Sequence, residues 1–226
     1  EPMFGLGVLN IALPESEQLM MAFPIGIVCG FVGGLFNKGL VWLTGRLTPL
    51  VRSRPLQTGL CLGGGLTVLA LLSWGTSTSD GEALVRQLIE EGMPNALGND
   101  QDLITGLTSI WITLVRVVGP MLALSPGVPG GLIDPSLTFG AVLGYTICAV
   151  VGISSQVGIG LGLAAGLSGA TQLPLVSIVF SWRLAGDQQL FAGVVLVSVL
   201  AAYTGRLVCR DPVYHGLSKL QSAPRR

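Results

Sequence analysis

The sequence predicts an all-α, polytopic membrane protein whose helices are partly tilted and partly broken, and three observations carry that prediction. Half of the 226 residues are hydrophobic, only 11% are charged and the mean hydropathy is +0.71, whereas soluble domains carry about a quarter charged residues. Apolar runs long enough to cross a bilayer alternate with runs that are too short. Glycine reaches 33 residues and, with proline, interrupts the apolar regions, as happens where membrane helices approach closely or break.

Several function classes drop out at once. Twelve basic residues balance twelve acidic ones, so the basic excess of a nucleic-acid binder is absent. Cys29, Cys61, Cys148 and Cys209 lie in apolar stretches without metal-ligand or redox spacing, which makes them packing residues. The single histidine, His215, has only Asp211 nearby, so neither a catalytic triad nor a zinc site can be assembled. Neither enzyme chemistry nor a metal or organic cofactor is expected. The start, Glu1-Pro2-Met3-Phe4-Gly5, has no basic n-region and no cleavage site, so a signal peptide is not expected.

A bilayer core of about 30 Å takes about 20 apolar residues in an upright helix. Residues 19–50 exceed that, carry Gly26, Gly30, Gly33 and Gly34 on or near one face, and run into Arg46, Arg52 and Arg54; they predict a long tilted helix. Pro55 ends it. Residues 56–74 form a second span with Gly59 and Gly63 at small-xxx-small spacing, and the two spans should make a hairpin. Residues 80–102 hold Asp80, Glu82, Glu90, Glu91, Asp100 and Asp102 against Arg86 alone, with a short amphipathic helix expected at 81–91. By the positive-inside rule the arginine turn is cytoplasmic and the acidic segment lies outside.

Residues 103–124 are a third span containing Arg116, either a functional intramembrane charge or a residue snorkelling or paired to carbonyls near a helix end. Residues 135–151 make a short span, 158–170 and 173–185 are shorter still, and 188–209 is long enough to cross. A last short helix opens at Asp211-Pro212-Val213-Tyr214 and ends in a basic tail, Lys219, Arg225 and Arg226, suited to the cytoplasm. The division expected is 1–18 as the end of a preceding helix and an extracytoplasmic loop, 19–210 as the membrane domain, and 211–226 as the final helix and tail. One very long span, several short ones and proline-glycine breaks describe a transporter with discontinuous helices.

Between the third and fourth spans runs Ser125-Pro126-Gly127-Val128-Pro129-Gly130-Gly131-Leu132-Ile133-Asp134-Pro135, which cannot be helical throughout. Broken backbone at membrane depth is tolerated only where buried or lining a cavity. A helix that begins there presents unpaired N–H groups and a positive dipole end, hence an anion site without a charged side chain. Gly130 and Gly131 supply the approach and Pro135 sits in the first turn, where its missing N–H is least costly. Tyr214, just past Pro212, offers a phenolic hydroxyl to the same cavity. Two buried kinks with a satisfied tyrosine remain the alternative. Because the Leu132 and Ile133 donors are backbone groups, anion binding should suffer most from Gly131→Val, which disturbs the helix start, less from Tyr214→Phe and least from Leu132→Ala. The GxGxG at Gly158, Gly160 and Gly162, with Gly166 and Gly169, lacks the strand and acidic ligand of a nucleotide site; it points to close helix packing, as do Gly140 and Gly144.

The segment 125–135 with the following Leu-Thr-Phe-Gly-Ala-Val-Leu-Gly run resembles the GxFxP region of the CLC chloride channels and proton-coupled chloride exchangers. In order, residues 161–174 (LGLAAGLSGATQLP) resemble that family's next helix pair, 188–205 its next span, and Asp211-Pro-Val-Tyr214 the tyrosine-bearing start of its last helix. Asn37, in Gly34-Leu-Phe-Asn-Lys38, resembles the long first helix of the second repeat. The resemblance covers about 19–220. It implies one half of an inverted-repeat CLC-type fold, the second repeat. The family's loops that supply a serine ligand and a gating glutamate, and its proton-transfer glutamate, find no match in these residues.

The resemblance implies that the backbone N–H groups of Leu132 and Ile133 and the Tyr214 hydroxyl are this half's share of a central anion site, with Gly130, Gly131 and Pro135 supporting the loop. Ile133 stands where the motif usually has phenylalanine, and Arg183 where many members have glutamate. Asp134 has a stricter consequence: a carboxylate 5 Å from an anion would repel it by about 3 kcal/mol at an effective dielectric of 20, so it must face away or be neutralised. The function implied is passage of chloride or a similar small anion, as channel or antiporter, in a homodimer within the bilayer. The expected partners are the anion, the first repeat of the same protein and a second copy, in a bacterial inner membrane. Two rivals stand beside it. One is a non-transporting assembly subunit whose broken helices pack against a partner. The other is an unrelated carrier of larger anions, for which Arg116 alone would supply a basic cavity group.

Overall fold

The computed structural model describes residues 15–73, 81–90, 101–127, 130–185, 189–210, 212–213 and 216–217, and these contain eight α-helices. The first, α1 (Glu15–Ser53), begins four residues ahead of the expected boundary. At 1.5 Å per residue its 39 residues span about 58 Å, roughly twice the hydrocarbon thickness, so it runs obliquely or projects beyond the core. Only Arg54 separates it from α2 (Pro55–Leu72), which opens on the proline, where a missing N–H is free of cost. The Thr58 hydroxyl donates to Arg54 O at 2.9 Å and Leu50 O at 3.3 Å, tying the junction.

The amphipathic helix expected in the acidic segment is α3 (Gly81–Glu90), which buries Leu84, Val85 and Leu88 and carries an Arg86–Glu82 ion pair of 2.8 Å outside that face. It is followed by α4 (Gln101–Leu124), α5 (Ile133–Val151), α6 (Ser155–Thr171), α7 (Pro174–Ala185) and α8 (Phe191–Val208). Among the described residues α1, α2, α5 and α8 are long and apolar enough to cross a membrane. With 17 and 12 residues, α6 and α7 are short, as expected.

The centre of the fold is α6. Every residue from Val157 to Thr171 is buried, which is why its sequence is apolar on all sides with no polar face. Helices α1, α5 and α8 surround it, and glycine sets the spacing. A Cβ on Gly140 would sit 2.8 Å from Gly166 Cα, one on Gly144 3.0 Å from Gly162 Cα, one on Gly33 2.6 Å from Ala170 N, and one on Gly34 2.9 Å from Gly205 O. The GxGxG motif is thus a helix-packing device between α5 and α6, as expected. Where backbones approach this closely, hydroxyls bridge them: Ser168 donates to Ser198 O at 2.6 Å, and Thr204 reaches Gly26 O at 3.2 Å.

Two expectations need correction. The α1–α2 hairpin does not use the glycine pair: a Cβ at Gly59 or Gly63 would meet nothing within 4 Å, and α2 has no buried residue. It leans on α1 and α4 through other side chains, Leu69 lying near Gly119 of α4. Of the cysteines, all free, Cys29 and Cys148 are buried packing residues, but Cys61 on α2 is exposed.

Candidate anion site at the start of α5

After α4 the chain turns at Gly127, whose φ of 86° is open to glycine and whose N–H donates to Leu124 O at 3.1 Å, closing the helix end. Val128 and Pro129 lie outside the described residues. The chain re-enters through Gly130, Gly131 and Leu132, and α5 starts at Ile133 with no side-chain cap. Leu132 O accepts both the Ser136 N–H at 3.3 Å and the Ser136 hydroxyl at 2.5 Å, and Thr138 Oγ1 donates to Asp134 O at 2.7 Å. These bonds lock the first turn. Pro135 is buried within it and lacks an N–H. Helix geometry leaves the amides of Leu132 and Ile133 without intrahelical acceptors, at the positive end of a dipole built from 19 residues.

The side chain of Leu132 is buried in a cluster with Phe36 and Leu40 of α1, Phe139 of α5, Ala170 of α6 and Val213. The rings of Phe36 and Phe139 lie 6.1 Å apart between centroids. Val213, which immediately precedes Tyr214 in sequence, thus sits in the same cluster as the start of α5. Tyr214 itself lies outside the described residues. The seat, an i, i+4 pair on α1 (Phe36 and Leu40), shows in the sequence only as apolar periodicity.

Asp134 turns away. A Cβ on Gly81 would meet the Asp134 carboxylate, with its Cγ at 2.7 Å, so the charge rests against the first residue of α3, where a helix N-terminus favours it. Ile133 is exposed. Gly131 is also open: it has no positive φ, and a Cβ there would meet nothing within 4 Å. Gly130 is the confined one, since its Cβ would meet Leu124 Cδ2. Leu132 is packed while Gly131 has open space beside it among the described residues, so for the stability of this chain Leu132→Ala should be the costlier of the two substitutions. Arg116 is buried on one face of α4 with Ser109 and Thr113. Arg183 is exposed in the last turn of α7, where a cation suits the dipole.

Comparison with known proteins identifies the family and the fold. A family model described as voltage gated chloride channel matches residues 1–206. The voltage-gated ClC-type chloride channel ClcB of Salmonella typhi is 26% identical over 218 residues, covering 91% of this chain and 48% of the relative. The H(+)/Cl(−) exchange transporter ClcA of Vibrio campbellii is 25% identical, covering 90% of this chain and 43% of its own length. A solved structure of a slow cyanobacterial Cl−/H+ antiporter superposes with a TM-score of 0.53 at 20% identity, over 88% of this chain and 48% of that one, and shows the same fold. This chain therefore spans about half the length of the curated relatives it matches. It is a multi-pass membrane chain, and it belongs to the voltage gated chloride channel family.

Proposed function

We propose that the chain supplies half of a transmembrane pathway for chloride or a similar small anion. The observation that carries this reading is the start of α5: a helix that opens uncapped at the end of a proline-glycine break, its first donors backbone amides, its one carboxylate turned onto α3. Neutral dipoles suit passage, because they replace part of the ion's hydration without the hold of a full charge. Tyr214 adds a hydroxyl donor, and the remaining ligands come from the first repeat. The names of the relatives, a chloride channel and a proton–chloride exchanger, support the substrate class.

The arginine turn at 46–54 and the basic tail face the cytoplasm of a bacterial inner membrane, and the acidic segment faces outward. Trp42, over which the Arg46 guanidinium lies 5.3 Å from the ring centroid, marks that interface. A second copy binds through α7 and α8, where Leu175, Val179, Trp182, Phe191, Val199 and Tyr203 are exposed apolar or aromatic side chains. Cysteines placed at positions 53 and 95 in sealed vesicles should label from opposite sides; labelling from one side refutes the orientation.

Chloride titration calorimetry on the complete protein tests the site. Tyr214→Phe removes one neutral hydrogen bond, worth about 0.5 to 1.5 kcal/mol, so affinity should fall several-fold. Unchanged affinity would remove Tyr214 from the site, and no chloride binding by the wild type would favour the assembly subunit instead.

A further inference from the structure

Two buried side-chain amides, not hydrogen-bonded to each other, lie on elements that meet at one corner of the fold. Asn37 of α1 is 0% exposed, and neither its Oδ1 nor its Nδ2 has a hydrogen-bond partner among the described residues. Gln172, which ends α6 in the left-handed conformation (φ 58°), is also buried. Its Nε2 donates to Cys209 O at 2.6 Å, past the end of α8, while its Oε1 finds no partner. Buried amides are almost always satisfied, so each orphaned atom calls for an explanation.

The neighbours of Asn37 on α1 fix where it faces. Gly33, one turn earlier, abuts Gly169 and Ala170 at the end of α6; Gly34 abuts Gly205 and Val208 at the end of α8; Val41, one turn later, lies against Gly216. Residues three and four apart share a helix face, so Asn37 looks into the wedge between the ends of α6 and α8. The Gln172–Cys209 bond spans that wedge. The two amides are complementary, a free N–H donor on one and a free carbonyl acceptor on the other. Phe36, beside Asn37, packs in one cluster with Val213 and Leu132, so the wedge adjoins the seat of the segment after α8.

We propose that Asn37 and Gln172 act as an amide clamp, positioning the segment that follows α8 against the start of α5 and through it setting the geometry of the anion site. The inference rests on the anion-pathway reading above. Both are positioning residues, and neither touches the ion.

The test uses the complete protein in detergent, with chloride and bromide titrations of wild type, Asn37→Leu, Gln172→Leu and the double variant. Leucine keeps the volume and removes the amide. Each single variant should lose about three- to tenfold in chloride affinity and change the chloride-to-bromide ratio, which a general loss of stability would not alter. The double variant should lose no more than the worse single, because the pair acts as one unit. Wild-type affinity and an unchanged ratio in both singles, or fully additive losses, overturn the clamp. Absence of chloride binding by wild type overturns the anion-pathway reading instead. Should the leucine variants fail to fold, an experimental structure of the wild-type complete protein decides. An Asn37–Gln172 hydrogen bond, direct or through one water, supports the clamp, and an Asn37 side chain turned elsewhere overturns it.

Discussion

Helices α2 and α6 are written in nearly the same alphabet and fare oppositely. Each is apolar and rich in glycine at three- to four-residue spacing, yet α6 is buried from Val157 to Thr171 while α2 buries nothing. At Gly162 an added Cβ would lie 2.8 Å from Gly140 C, whereas at Gly63 it would meet nothing within 4 Å. Glycine spacing therefore records that a helix can be approached closely, not that a partner is within the same chain. Only α6 has three flanking helices whose own glycines answer it: Gly33 on α1, Gly140 and Gly144 on α5, and Gly205 on α8.

The largest effect should come from the buried side of this comparison. Gly162→Val drives a branched side chain into the backbone of α5, which cannot yield as a side-chain tip would, and should cost about 3 kcal/mol or more. Thermal unfolding in detergent, or loss of monodisperse protein, reads it. Melting within a degree or two of wild type would show that α5 and α6 do not meet through their glycines.

At the start of α5 the same contrast operates over three consecutive residues. Leu132→Ala empties a buried position and should cost about 2 to 5 kcal/mol; Gly130→Val displaces the tip of Leu124 for about 1 to 2 kcal/mol; Gly131→Val, exposed and unconfined, should stay within about 0.5 kcal/mol. Unfolding of the three variants checks the order. A large Gly131→Val loss in the complete protein but not in this chain would place another segment against the loop.

The smallest effect belongs to α2. Gly63→Ala adds a methyl that meets nothing and improves helix propensity by up to about 1 kcal/mol, so the chain should be unchanged or slightly stabilised. Destabilisation that appears only in the complete protein would reveal a partner on that glycine face.

Much of this was legible beforehand because hydropathy, proline and glycine act locally. Pro55 opens α2, the break at 125–132 precedes α5, and the acidic segment holds α3. What could not be read depends on distant partners. Whether Gly59 and Gly63 are covered and whether the Leu132 side chain is buried are set by elements far away in the chain, for Leu132 notably Phe36 and Leu40, while which of Gly130 and Gly131 is confined is set by how the loop folds back on Leu124. The clamp residue Gln172 gave only a faint signal, one polar residue ahead of Pro174 in an otherwise apolar, glycine-rich run.

The central claim, that an anion is held by the uncapped start of α5, is tested most directly by bromide soaked into crystals of the complete protein, located by its anomalous scattering. The expected result is a peak in hydrogen-bonding contact with the Leu132 and Ile133 nitrogens, which weakens when chloride competes. Bromide ordered elsewhere in the membrane domain, with no density at these two amides, would contradict it.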